Sequence, residues 1–214
     1  MRPQAEIPLF PLGVVLLPET ILPLHIFEER YKIMIGECLT EDREFGVVCS
    51  ESSEIRKIGC TARIERVLKR YEDGRMDIVT RGGRRFVIHH IYDDRPYLQA
   101  EVTYFDDAAE EKTAEIDELI REGIDLMAQL DAMTGKREDY APLLESDHKN
   151  VSFWISNGAG FTTHEKQRFL EMTSTSGRIK KSVSSLKKMV NRIQVTREIE
   201  KVIGGNGNFR KPGA

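Results

Sequence analysis

Near Asp107 the spacing of apolar residues switches from two to between three and four, and this switch limits the possible folds more than any other feature of the chain. Upstream, Cys60, Ala62 and Ile64 alternate with Thr61, Arg63 and Glu65, the pattern of a strand with one face buried. The alternation runs on to Leu68, Asp73-Gly74 supplies a tight hairpin turn, and residues 76–80 form the returning strand. Arg81-Gly82-Gly83-Arg84 reads as a second turn, after which residues 85–92 alternate again and residues 98–105 close a β-rich half. Downstream, Ile116, Leu119, Ile120, Met127 and Leu130 lie on one helical stripe, and Ile179, Val183, Leu186, Val190 and Ile193 lie on another. Between them, residues 146–156 carry Trp154 and stop at Asn157-Gly158, and Thr162 or Thr163 caps a helix through Phe169 and Leu170. The class is α+β, with strands first and a helical bundle after.

The first 26 residues hold three apolar runs, 6–12, 14–17 and 20–26, broken by Pro8, Pro11 and Pro23. Proline cannot donate to a ladder, so these strands are expected to be short, bent or at an edge. One helix then interrupts the β half. Phe27, Tyr31, Met34 and Cys38 recur at helical spacing, with Glu28 and Glu29 near its start, where negative charge suits the helix dipole. Phe27 and Tyr31 are expected to anchor this helix to the sheet. The organisation expected is a β-rich part over residues 1–106, a helical bundle over 107–203, and a tail over 204–214 that leaves regular structure at Gly204-Gly205-Asn206-Gly207.

Composition narrows the class. With 40% hydrophobic and 31% charged residues the 214-residue chain is of ordinary globular character, and its net charge of −3 gives no global pull towards nucleic acid. No apolar run approaches the ~20 residues of a bilayer crossing, and Met1-Arg2-Pro3 opens no signal-peptide pattern, so a cytoplasmic protein without a membrane partner is expected. Cys38, Cys49 and Cys60 are odd in number and form no C-x-x-C pair, which favours reduced, buried thiols. Charge is split within the helical half: residues 107–147 hold 13 acidic against 4 basic side chains, and residues 148–214 hold 4 acidic against 13 basic. Attraction between neighbouring helices explains this balance. A basic patch of Lys180, Lys181, Lys187, Lys188 and Arg192 offers a rival nucleic-acid surface, but no aromatic residue is interleaved for stacking on bases.

Near-motifs for catalysis fail on their own terms. His164-Glu165-Lys166-Gln167-Arg168 begins like a zinc-peptidase helix, yet Arg168 stands where the second histidine must be. His89 and His90 on one strand point to opposite faces and cannot share an ion without a bulge. Gly135-Lys136 lacks the earlier glycine of a phosphate loop, and Arg137 replaces its Ser/Thr. Gly82-Gly83 between arginines could line an anion site, but a turn explains them more simply. No catalytic residue, metal ligand or cofactor is expected.

Five stretches in order carry a family resemblance. Residues 7–27, with Pro11, Pro18 and Pro23-Leu24 leading into Ile26-Phe27, are followed by Glu28-Glu29-Arg30-Tyr31 and Met34. Gly59, Ala62 and Ile64 form the third stretch, Gly82, Arg85, Phe86 and Ile88 the fourth, and Glu165-Lys166-Gln167 with Leu170 the fifth. Together they resemble the N-terminal domain of Lon proteases. The resemblance implies a PUA-like pseudo-barrel holding one helix, followed by a helical bundle, and a substrate-recognising role. It also implies that the chain stops before the ATPase and Ser-Lys peptidase domains, so recognition proceeds without ATP hydrolysis or proteolysis. The family supplies no catalytic residues, and Pro11, Pro18, Pro23, Leu24, Phe27, Arg30, Tyr31, Gly59, Gly82 and Phe86 are read mainly as structural. The expected function is a non-catalytic module that binds exposed or unfolded protein segments, alone or beside a separate protease or chaperone. The alternative is an RNA- or DNA-binding PUA-like protein using the basic last helix.

Overall fold

The computed structural model describes residues 4–51, 54–135, 139–158 and 160–205. Its strands are β1 (Ala5–Leu12), β2 (Ile21–Ile26), β3 (Phe45–Glu51), β4 (Glu54–Arg70), β5 (Met76–Tyr92) and β6 (Gln99–Phe105). Helix α1 (Glu29–Glu41) lies between β2 and β3. Helices α2 (Ala114–Thr134), α3 (His148–Ser156), α4 (Thr163–Glu171) and α5 (Thr175–Gly205) follow the strands, with a 3-10 turn at Ala141–Glu145. The strand order is β2-β5-β4-β3-β1-β6, and β6 returns to pair with β5, so the sheet closes on itself and leaves β2 outside the ring.

The prolines are accommodated by a change of partner. Along β1, residues from Ala5 to Pro8 pair with β6, and residues from Leu9 to Leu12 pair with β3. Each half of the strand thus has a ladder partner on one side only, which is where a missing N–H is tolerated. Pro23 sits in β2, the outermost strand.

Period-two alternation sorts the β residues into two cores. Ile7, Leu9, Val48, Phe86, Ala100 and Val102 form one cluster. The Phe86 ring fills it so fully that a Cβ at Gly59 would stand 2.5 Å from the Phe86 Cζ. Residues of opposite parity, among them Phe10, Phe45, Val47 and Cys60, face Tyr31, Met34, Ile35 and Cys38 of α1, and Phe153 and Leu170 from the helical half join this second core. A third core of Ile120, Ile124, Met127, Ile155, Ile179, Val183 and Leu186 holds the helices to each other. All three cysteines are buried and free, and burial pushes the Cys60 thiol far above its ordinary value.

Three expectations need correction. Residues 14–17 are an irregular crossing with Val15, Leu16 and Leu17 buried, because their apolar run lacks a ladder partner. Gly82-Gly83 is no turn, since β5 runs unbroken through it. The glycine is needed for a close approach instead: a Cβ at Gly82 would lie 2.1 Å from the Leu17 carbonyl oxygen. There the Gly82 N–H donates to the Thr20 carbonyl at 2.9 Å and its carbonyl accepts from Glu19 N at 2.9 Å, leaving the amide no role in an anion site. Helix α5 ends at Gly205, inside the stretch Gly204-Gly205-Asn206-Gly207, and residues 206–214 of the expected tail lie outside the described residues. Phe27 precedes α1 and is 59% exposed, so of the two aromatic residues only Tyr31 helps anchor the helix, its ring centroid 4.0 Å from that of Phe10.

Candidate functional site

The family-motif residues separate into two groups. Tyr31, Gly59, Gly82 and Phe86 are buried and serve the packing described above, Pro11 is half-buried in β1, and Pro18 is buried just before Glu19. Pro23, Leu24, Phe27 and Arg30 gather around β2 and the start of α1. Arg30 lies with its guanidinium 4.6 Å from the Tyr31 ring centroid and pairs with Glu28 at 2.7 Å.

Alternation along β2 exposes an apolar row. Leu22, Leu24 and Ile26 turn to the core, while Ile21, Pro23 and His25 are exposed on the other face and pair across to Arg81, Val79 and Asp77 of β5. Just past the strand, the Phe27 ring stacks on His25 with centroids 6.0 Å apart. His25 is itself fixed: its Nδ1 lies 2.6 Å from the Asp77 carboxylate, which also accepts the Tyr71 hydroxyl at 2.8 Å. The hydrogen bonds from His25 and Tyr71 hold the Asp77 carboxyl below its ordinary value. Phe27 is therefore held outward, 59% exposed, with Ile21 at 44% in the same row. Among the described residues β2 pairs with β5 only, so its outer edge keeps backbone groups available.

Ile21 also forms part of a second feature. A cleft of about 620 Å³ opens between the β2 entry and the helices, walled by Glu19, Ile21 and Arg81 on one side and Asp131, Tyr140 and Trp154 on the other. A neighbouring cleft of about 450 Å³ shares Glu19 and Asn150 with it and continues past Arg84 and Lys149. Glu19 adopts φ 62°, a left-handed conformation uncommon for a residue with a side chain.

The other sequence candidates fall elsewhere. Lys180 pairs with Glu115 and Lys187 with Glu122, each at 2.8 Å, so two of the five patch residues face the acidic helix α2. His89 Nε2 contacts the Thr103 hydroxyl at 2.7 Å and His90 packs on Tyr92; a bulge does fall between Ile88 and His90, yet among the described residues no three His, Cys, Asp or Glu side chains are grouped to hold a metal. Glu165, beside His164, closes a capping box with Thr162. Lys136 and Arg137 lie outside the described residues. No helix among the described residues is long and apolar enough to cross a membrane.

One constellation has no local motif. Arg85 of β5 and Arg178 of α5, with side chains 1% and 0% exposed, share the carboxylate of Asp107, itself 5% exposed. Arg85 also donates to the Leu170 carbonyl, Arg178 donates to the Met172 carbonyl and to the Ser152 hydroxyl, and Phe153 lies under both guanidinium groups. These residues join the β half to the helices and touch no cleft chemistry except through Arg85, on the wall of the smaller cleft.

Residues 6–188 match the family model described as the ATP-dependent protease La (LON) substrate-binding domain. Among curated relatives, Lon protease 2 of Myxococcus xanthus is 26% identical over 217 residues, and the Lon protease of Anaeromyxobacter dehalogenans is 25% identical over 219. These alignments cover 93% and 94% of the chain, which spans 25% of either relative. Among solved structures, a Lon N-terminal domain protein from Xanthomonas campestris superposes with TM-score 0.67 at 23% identity, over 85% of this chain and 98% of that one. The N-terminal domain of a Mycobacterium avium complex Lon protease gives 0.65 at 18%, over 86% and 98%.

Proposed function

This chain belongs to the ATP-dependent protease La (LON) substrate-binding domain family, and on that premise we propose that it binds exposed, unfolded polypeptide segments through the outer face and edge of β2. The observation that carries the reading is the row of Ile21, Pro23 and Phe27 on an edge strand. Apolar side chains released by an unfolding protein would find burial there at about 25 cal/mol per Å². The open ladder edge would at the same time accept an extended backbone as an added strand. Native proteins have already buried both kinds of group, which supports discrimination in favour of unfolded states. The reading assigns these 214 residues recognition and no step of ATP hydrolysis or peptide-bond cleavage, with a separate protease or chaperone as the natural recipient of what is bound.

A fluorescein-labelled model protein held unfolded by alkylated cysteines, compared with its native disulfide-bonded form by anisotropy, tests the reading. Saturable binding of the unfolded form alone supports it; equal affinity for both forms, or none for either, overturns it.

A further inference from the structure

The cleft beside β2 carries a charge that the apolar row lacks. Asp131 is only 9% exposed, its carboxylate accepts the Tyr140 hydroxyl, and among the described residues no cation pairs with it. A carboxylate this buried without a positive partner is costly, and an incoming cation would relieve that cost. Across the cleft stands Glu19, exposed and likewise without a cation. Its backbone is fixed at φ 62° by its N–H on Gly82 and by its carbonyl, which accepts from Arg81 Nη1 at 3.0 Å. Arg81, the one basic residue on the cleft wall among the described residues, is already neutralised by Glu65 through its Nε. Lys166 directs its ammonium at the two oxygens of Asn157, at 3.0 and 3.1 Å. Among the described residues the lining therefore has two carboxylates awaiting a cation and no cation free to repel one.

The same cleft holds an aromatic pair. Tyr140 and Trp154 meet edge to face, with ring centroids 5.2 Å apart. Aromatic faces beside carboxylates bind ammonium and guanidinium groups, because the ring quadrupole and the charge attract the same partner. Ile21 is both the first exposed residue of β2 and a wall of the cleft. An extended segment lying along β2 would thus bring a neighbouring side chain to the cleft mouth.

We propose that the cleft walled by Glu19, Asp131, Tyr140 and Trp154 is a subsite for an arginine or lysine side chain adjoining the apolar residues of a bound polypeptide. The proposal rests on the polypeptide-binding reading and adds a sequence preference to it: apolar segments flanked by a basic residue.

Trp154 is the single tryptophan, so its emission reports on the cleft directly. Three labelled decapeptides sharing one apolar core and ending in Arg, Gln or Glu are titrated against the full chain, with anisotropy and Trp154 emission recorded together. The Arg peptide is expected to bind about tenfold more tightly than the Gln peptide and to shift Trp154 emission, with the Glu peptide weakest. Asp131→Asn, which keeps an oxygen for the Tyr140 hydroxyl, is expected to bring the Arg peptide down to the affinity of the Gln peptide. Should that variant fail to fold, the exposed Glu19→Gln is expected to cut the Arg preference about threefold. Equal affinity for all three peptides, or an Arg preference with Trp154 emission unmoved, overturns the subsite and leaves the apolar reading standing. Binding of none of them overturns both.

Discussion

Arg178 in α5 lies with its guanidinium carbon 3.7 Å from the ring centroid of Phe153 in α3. Both side chains are fully buried, and the same guanidinium is held by Asp107, which also binds Arg85 from the barrel. Two buried cations thus share one buried carboxylate, with the more exposed Asp106 3.8 Å from Arg85, and carbonyl oxygens of Leu170 and Met172 and the Ser152 hydroxyl take further N–H groups. Asp107→Asn keeps shape and hydrogen-bonding oxygen but leaves the Arg178 charge uncompensated and Arg85 with only the exposed Asp106 at 3.8 Å. Removing one partner of a buried pair costs about 3–5 kcal/mol. A urea titration of the variant is expected to show a loss of that size, and a loss under 1 kcal/mol would mean that the carbonyl cage suffices.

Acid should weaken the same junction. Burial works to raise the Asp107 carboxyl, but the hydrogen bonds from Arg178 and Thr175 and the charges of Arg178 and Arg85 outweigh it, and the group titrates below its ordinary value. A carboxyl lowered on folding contributes stability that is complete above its unfolded pKa of about 3.9 and disappears as pH falls through the folded one. The urea midpoint should therefore drop more steeply below about pH 4 in the parent than in Asp107→Asn. Parallel curves for the two proteins would remove Asp107 from the acid response.

At Gly82 the obstacle to a side chain is backbone. An added Cβ would meet the Leu17 carbonyl oxygen at 2.1 Å, where the chain crossing into β2 is pinned by hydrogen bonds to Gly82 on both its N–H and carbonyl. Gly82→Ala should cost about 2–3 kcal/mol in thermal or urea unfolding. Gly13, with nothing within 4 Å of an added Cβ, is the control, and Gly13→Ala should stay within about 0.5 kcal/mol.

How much of this could be read in the sequence depends on how local each feature is. Alternation at Cys60, Ala62 and Ile64 and the stripe through Ile179, Val183 and Leu186 announced strand and helix, because both periods repeat within a few residues. The charge split in the helical half was also legible, and it reappears as the Lys180–Glu115 and Lys187–Glu122 pairs. A glycine serving a close approach, as Gly82 does, looks the same in one dimension as a glycine serving a turn. Phe27 reads as helical in sequence because the spacing backwards from Tyr31 continues by chance past the helix start at Glu29. The Asp107–Arg85–Arg178 cluster has no local signal, although Arg85 stands in one of the family-like stretches: 22 and 71 residues separate the partners, and only the closed fold brings them together. The walls of the cleft, from Glu19 to Trp154, are distributed in the same way.

Phe27 is the residue on which the binding reading can most cleanly fail. Its ring is 59% exposed and rests on His25, so it contributes little to the core. Phe27→Ser should change the unfolding free energy by no more than about 0.5 kcal/mol. Burying that ring against a bound apolar segment would be worth about 1.5–3 kcal/mol, so affinity for an unfolded model protein should fall roughly 10- to 100-fold. Phe86→Ala provides the contrast. That ring is fully buried among Ile7, Leu9 and Val102, and its loss should cost about 3–5 kcal/mol of stability. A Phe27→Ser protein that stays folded and binds as tightly as its parent would place recognition away from β2. A tenfold loss with an unchanged urea midpoint would tie it to the outward face of that strand.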